Sequence, residues 1–121
     1  MAKILIVDDD IQTTSLLESL VKINGHQPTS VNLSRLAIEV ADTIKPDLIL
    51  LDIMMEGVNG IELCKIIKSD SGLKKVPVIM VSALDDIGSK RDSFNAGAMD
   101  FITKPIRPND FSERIQSALS L

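Results

Sequence analysis

The chain has 121 residues, 45% of them hydrophobic, which suits one domain with a proper core and leaves no room for a second. A formal net charge of −4 argues against a broad basic field for nucleic acid or an anionic membrane surface, so direct partners are expected to be proteins. With three Phe and no Trp or Tyr the interior must be aliphatic, and the lone Cys64 rules out an internal disulfide.

From the N-terminus, the apolar run Ile4-Leu5-Ile6-Val7 marks a first strand, Lys3–Val7, and stops at three consecutive carboxylates, Asp8-Asp9-Asp10. A buried strand rarely ends by concentrating like charge. Neighbouring carboxylates oppose one another's ionisation, so a compensating cation, naturally a metal ion, is expected there. A first helix follows, with Leu16, Leu17, Leu20 and Val21 on its apolar face and Asn24-Gly25 as its stop. The second strand, Gln27–Val31, is polar and carries Pro28, which cannot donate to a sheet ladder and belongs at an edge. His26 beside it is solitary and reads as a surface residue rather than a metal ligand.

Leu36, Val40 and Ile44 mark a second helix ending at Lys45-Pro46, and the third strand, Asp47–Leu51, ends in Asp52. Ile61, Cys64 and Ile67 mark a third helix before Ser69-Asp70-Ser71-Gly72, with Cys64 as a small buried hydrophobe. The fourth strand, Val76–Val81, runs into Ser82-Ala83. A fourth helix, from about Ile87 to Ala96, is weakened by Gly88 and by a charged side, and stops at Gly97. The fifth strand, Met99–Ile102, leads to Thr103-Lys104-Pro105, and the fifth helix opens at Pro108 with Phe111, Ile115 and Leu119 on one face.

Alternating strands and helices in a single domain, residues 1–121, predict an α/β fold with a parallel sheet, four of whose strands are buried on both faces. Ligands of such sheets bind beyond the carboxyl ends of the strands, where the winding reverses. Those ends offer Asp8, Asp9, Asp52, Ser82 and Lys104. Carboxylates, a hydroxyl and an ammonium on one rim are the parts needed to hold a divalent cation and a phosphoryl group together. Oxygen donors with no His or Cys cluster favour magnesium over zinc. Asp52, alone after the buried run Leu48-Ile49-Leu50-Leu51, is the candidate nucleophile for an aspartyl phosphate, while Asp8 and Asp9 share the metal. Lys104 would pair with one phosphoryl oxygen and the Ser82 hydroxyl would donate to another.

Over essentially its entire length the chain resembles a response-regulator receiver domain, the phosphoacceptor half of two-component signalling. The resemblance rests on four motifs in order: Ile4 to Asp10, Pro46 to Met55 with Gly60, Pro77 to Ala83, and Ala96 to Pro105. It implies a flavodoxin-like fold, a five-stranded parallel sheet flanked by five helices, with the strand order 2-1-3-4-5 taken from the family's chemotaxis member. It further implies that Asp52 accepts phosphate from a phosphohistidine on a sensor histidine kinase or histidine phosphotransfer protein. Asp9, Asp52 and the Met54 backbone carbonyl would hold Mg2+ or Mn2+, with Asp8 acting mainly through metal-bound water. Ser82 and Phe101 match the switch hydroxyl and switch aromatic, Lys104 the phosphate-pairing lysine, and Lys104-Pro105 a peptide that is cis in family structures. The downstream protein target would meet the face of helix four, strand five and helix five. Such a domain catalyses only its own phosphorylation and dephosphorylation, and a cytoplasmic location without membrane or nucleic-acid contact is expected.

Asp10 sits at a less specific position and is read as a cap for helix one. Glu56 stands where the family usually has Pro, so the loop after Asp52 is expected to be looser. Its charge would strengthen metal attraction, alter kinase docking, or simply sit in solvent. Met54 and Leu84 are apolar at positions that in the family modulate phosphate loss, which implies a long-lived phosphorylated state. Phe101 cannot make the hydrogen bond an outward Tyr would make. Three rivals are weighed against this reading. A haloacid-dehalogenase-type phosphatase would use Asp8 and Asp10 but wants Thr or Val where Gln12 stands. A flavodoxin would need a first loop that welcomes phosphate, which three Asp would repel. A degenerate receiver would bind partners without being phosphorylated.

Overall fold

Strands and helices alternate along the described residues, 1–120 of the computed structural model. They are β1 (Lys3–Val7), α1 (Ile11–Ile23), β2 (Gln27–Val31), α2 (Ala37–Ile44), β3 (Leu48–Leu51), α3 (Gly60–Ser69), β4 (Val78–Ser82), α4 (Ile87–Asn95), β5 (Asp100–Thr103) and α5 (Pro108–Leu119). A single 3-10 turn, Ser34–Leu36, leads into α2.

Local chemistry accounts for most of the boundaries. The Asp10 carboxylate accepts from the Gln12 amide at the start of α1, Asn59 does the same for Ile61 in α3, and Asp86 for Ser89 in α4. Pro108 opens α5, where its missing N–H costs nothing. Asn24 and left-handed Gly25 end α1, and Lys45, itself left-handed, ends α2 before Pro46. Three strands differ slightly from the sequence expectation. β3 starts at Leu48; at Asp47 the backbone N–H donates to the Lys3 carbonyl at 2.7 Å, but the Lys3 amide is taken by the Asp47 carboxylate at 2.8 Å rather than by a backbone carbonyl. β4 starts at Val78, since Val76 N–H closes a turn on Leu73 and Pro77 has no N–H to offer. β5 is displaced by one residue, to Asp100–Thr103.

All the strands pair in parallel, in the order β2-β1-β3-β4-β5. Pro28 is thereby placed on an edge strand, as its missing donor requires. β5 forms the opposite edge, so Asp100 and Thr103 are only half-buried and β5 is not covered as β3 and β4 are. Period-two alternation sorts the strand residues between two cores. Leu5, Val7, Ile49, Leu51, Met80 and Phe101 face α2, α3 and α4. Ile4, Ile6, Leu48, Leu50, Val81 and Ile102 face α1 and α5, where Phe111 is fully buried.

Leu16, expected on the apolar face of α1, is half exposed. At about 100° per residue it lies roughly 40° beyond Leu20, just outside the arc spanned by Leu17, Leu20 and Val21. Cys64 is buried as expected, its thiol donating to the Ala96 carbonyl, and burial pushes its pKa up. Among the described residues, no helix is long and apolar enough to cross a membrane.

Candidate functional site

Parallel pairing brings every strand's carboxyl end to one rim, and the winding reverses between β1 and β3. Asp8 and Asp52 follow those two strands directly. Their backbones are held by the ladder: Asp52 N–H donates to the Val7 carbonyl at 3.0 Å, and Asp8 N–H to Val31 at 3.1 Å. The carboxylates therefore leave adjacent, fixed positions. One carboxylate oxygen from each of Asp8, Asp9 and Asp52 lies within 4.8 Å of the others. Asp8 and Asp52 are buried and Asp9 is exposed, so the cluster opens outward on the Asp9 side.

Lys104 reaches in from the end of β5. Its Nζ is 2.9 Å from Asp8 Oδ2 and 3.5 Å from Asp52 Oδ2. Its backbone N–H donates to Ser82 at 2.9 Å, and the Lys104–Pro105 peptide is cis. Burial works against the Lys104 ammonium, but the hydrogen bond to Asp8 and the charges of Asp52 and Asp8 outweigh it and raise its pKa. Asp52 is shifted up as well, first by burial and then by the Asp8 charge, against the opposing pull of Lys104, the Ile53 amide and the neighbouring Ser82 hydroxyl.

Part of the compensating charge expected behind β1 is thus internal: a single ammonium among three carboxylates. Each carboxylate also has a backbone donor. Asp10 N–H donates to Asp8 Oδ1 at 2.9 Å, Ile53 N–H to Asp52 Oδ1 at 2.8 Å, and Glu56 N–H to Asp9 Oδ2 at 3.0 Å. The remaining lone pairs and the excess negative charge suit a hard divalent cation.

Ser82 is buried at the end of β4, its hydroxyl accepting from Leu84 N–H at 3.2 Å. Phe101 is turned inward, with Lys90 Nζ 5.7 Å from the ring centroid. Met54 lies on the loop after Asp52 with its side chain largely exposed, and Leu84 packs against the core. Asp10 stands outside the cluster, its carboxyl held below the usual range chiefly by the Thr13 hydroxyl. His26 lies just before β2 and is half-buried. Its Nδ1 accepts from Ala2 N–H at 3.0 Å, which gives it a structural tie that the sequence reading lacked.

Two residues near the site had no signal in the sequence. Asn32, after β2, donates to the Asp8 carbonyl at 2.9 Å and to the Thr14 hydroxyl at 3.1 Å. Ser34 hydrogen-bonds twice to the loop between β3 and α3. Both are ordinary polar residues in a connection, and nothing local separates them from solvated ones. The loop itself, expected to be loose without its proline, is tied at Glu56 and Val58.

The response regulator receiver domain family matches residues 4–116. The DNA-binding response regulator MtrA of Mycobacterium tuberculosis is 32% identical over 117 residues, 97% of this chain and 50% of that protein. Response regulator PleD of Caulobacter vibrioides is 34% identical over 116 residues, 96% of this chain and 26% of its own length. The chain therefore spans about half, or less, of these relatives. Among solved structures, chemotaxis protein CheY4 of Vibrio cholerae aligns with a TM-score of 0.92 at 26% identity, covering 98% of this chain and 99% of that one. The BeF3-activated N-terminal receiver domain of RstA from Klebsiella pneumoniae gives 0.92 at 28% identity, with coverage of 98% and 99%.

Proposed function

The chain belongs to the response regulator receiver domain family of two-component systems, and from that premise we propose that Asp52 is its phosphoacceptor. The donor is a phosphohistidine on a sensor histidine kinase or a histidine phosphotransfer protein. One observation carries the reading: the Asp8, Asp9 and Asp52 carboxylates and the Lys104 ammonium meet where the sheet's winding reverses.

In the transfer, an Asp52 carboxylate oxygen attacks phosphorus. The new P–O bond forms as the P–N bond to the imidazole breaks, and the electron pair of that bond stays with the ring nitrogen. Little covalent chemistry is asked of the protein, so positioning and charge neutralisation do the work. Ladder bonds to Val7 fix the Asp52 backbone, and the Ile53 amide orients its Oδ1, leaving Oδ2 as the attacking atom. Lys104 rests between Asp8 and Asp52 and transfers its contact to a phosphoryl oxygen, while the Ser82 hydroxyl, whose oxygen accepts from the Leu84 amide, keeps its proton to donate to another. Asp8, Asp9 and Asp52, with the Met54 backbone carbonyl carried over from the family, would hold Mg2+ or Mn2+, whose charge offsets that of the phosphoryl oxygens.

Residues 1–121 act as one receiver unit that catalyses only its own phosphorylation and dephosphorylation. Ser82 and Phe101 relay the phosphorylated state to the α4–β5–α5 face, which engages a downstream protein. Poor anchoring suits α4 to that role: Ser93 is its only buried residue, and Ile87 and Phe94 are exposed. With a net charge of −4 the domain itself makes no direct nucleic-acid contact, and its setting is the cytoplasm. Incubation with acetyl phosphate and Mg2+ followed by intact mass measurement tests the proposal. Wild type gains one phosphoryl group, and Asp52→Ala gains none. An unmodified wild type, or an undiminished adduct on the variant, would overturn it.

A further inference from the structure

The loop between β3 and α3 is held from outside the acid cluster. Ser34, in the 3-10 turn after β2, is 4% exposed. Its hydroxyl donates to the Glu56 carbonyl at 2.8 Å and accepts from Val58 N–H at 3.0 Å, so one side chain grips the peptides on both sides of Gly57. Gly57 is left-handed, with φ +89°, and a Cβ there would lie 2.9 Å from Ser34 Oγ. Serine and glycine therefore fit each other. One peptide earlier, on the amino side of the same residue, Glu56 N–H donates to Asp9 Oδ2 at 3.0 Å. A proline at this position would have no N–H, so this bond is available because the residue there is not proline.

We infer that Ser34, Gly57 and the Glu56 peptide form a latch that orients Asp9 for a divalent cation, with Ser34 and Glu56 as positioning residues. The inference rests on the reading of the acid cluster given above. Asp9 is the exposed member of the cluster, and a free aspartate there would sample several rotamers. A carboxylate has about four lone-pair sites, so one amide on Oδ2 orders the group and leaves the rest available to a cation. The rigidity a proline ring would give the loop is supplied here by hydrogen bonds that end on a candidate metal ligand. The Glu56 side chain is exposed and takes no part; its peptide does.

Outer-shell donors of this kind are worth about 10–100-fold in metal affinity. Mn2+ binding to the full chain, followed by electron paramagnetic resonance, reads the effect, with circular dichroism confirming that each variant is folded. Glu56→Pro is expected to weaken Mn2+ binding by about 10-fold, whereas Glu56→Gln, which keeps the N–H, stays within about 2-fold of wild type. Ser34→Ala leaves the N–H but frees the loop; it weakens binding by a smaller factor and speeds hydrogen exchange at the Glu56 and Val58 amides. Asp9→Ala speeds exchange at Glu56 alone. Equal Mn2+ affinity in wild type and Glu56→Pro would overturn the latch, as would an equal loss in Glu56→Gln. Should Glu56→Pro fail to fold, unchanged affinity and exchange in Ser34→Ala would overturn it instead. If wild type binds no Mn2+, the reading of the acid cluster itself fails, and the latch falls with it.

Discussion

Replacing Gly60 by Ala tests how tightly the first turn of α3 is pressed against the strand that carries Asp52. Gly60 N–H donates to the Ile53 carbonyl at 2.8 Å, and a Cβ on Gly60 would stand 1.8 Å from the Asp52 carbonyl oxygen and 2.7 Å from its carbon. Reaching even 3.0 Å requires a retreat of about 1.2 Å, and both obstacles are backbone, so no side chain can swing aside. Overpacking of this kind costs about 3 kcal/mol, at the upper end of the usual range, and leaves a domain of ordinary stability folded. The same displacement moves Asp52, and a shift of about 1 Å in a reacting group costs on the order of 100-fold in rate. Gly25→Ala is the control. Unlike Gly60, Gly25 is left-handed, at φ +84°, and has nothing within 4 Å, so the change should cost only about 1 kcal/mol from backbone strain and leave phosphorylation unchanged. Urea unfolding gives the stabilities, and acetyl phosphate labelling the rates, both on purified protein with Mg2+. A Gly60→Ala variant no less stable than Gly25→Ala, or one phosphorylated at the wild-type rate, would refute the reasoning.

Asp52 has a folded-state pKa above the 3.8 of an ordinary aspartate, so the native state holds the extra proton and stability falls as pH rises through that window. In EDTA, Asp52→Asn should therefore unfold at higher urea than wild type at pH 7, and the gap should close as pH is lowered toward 4; a constant gap would contradict this. Lys104→Met keeps the side-chain bulk but leaves Asp8, 2% exposed, without its cation. It should lose about 2 kcal/mol in EDTA, discounted from a fully buried pair because Lys104 is 22% exposed. Added Mg2+ should stabilise this variant more than wild type in the same unfolding assay. Phe111→Ala, in the core beneath α1 and α5, should cost about 3–5 kcal/mol while the folded protein is still labelled on Asp52. Hydrogen exchange should be faster throughout α4 than in α1 or α5, since Ser93 is the only buried residue of α4.

The alternation of strands and helices was legible because it depends on local periodicity. Runs such as Leu48-Ile49-Leu50-Leu51 and caps such as Asn24-Gly25 and Pro108 carry their meaning in a few adjacent residues. Pro28 marked an edge strand through its missing donor alone. The site residues Asp8, Asp9, Asp52, Ser82 and Lys104 could be gathered for a related reason: once strands are parallel, their carboxyl ends must share a rim. Burial at the margins was less legible, as Leu16 illustrates, because a small rotation of a helix on its sheet decides which flanking residue is covered. Strand ends near Asp47 and Pro77 depended on which backbone groups found partners elsewhere.

The sequence by itself determined the layer architecture, the edge position of β2 and the set of polar groups delivered to one rim. Only the tertiary structure decided how those groups pair. Lys104 sits closer to Asp8 than to Asp52 across a separation of 96 residues, and Asp9 is oriented by a peptide N–H that no side chain announces. Side-chain pattern reports which face of an element is buried. The partners of a hydrogen bond between distant segments depend on ladder register and on backbone donors, which every residue but proline carries alike.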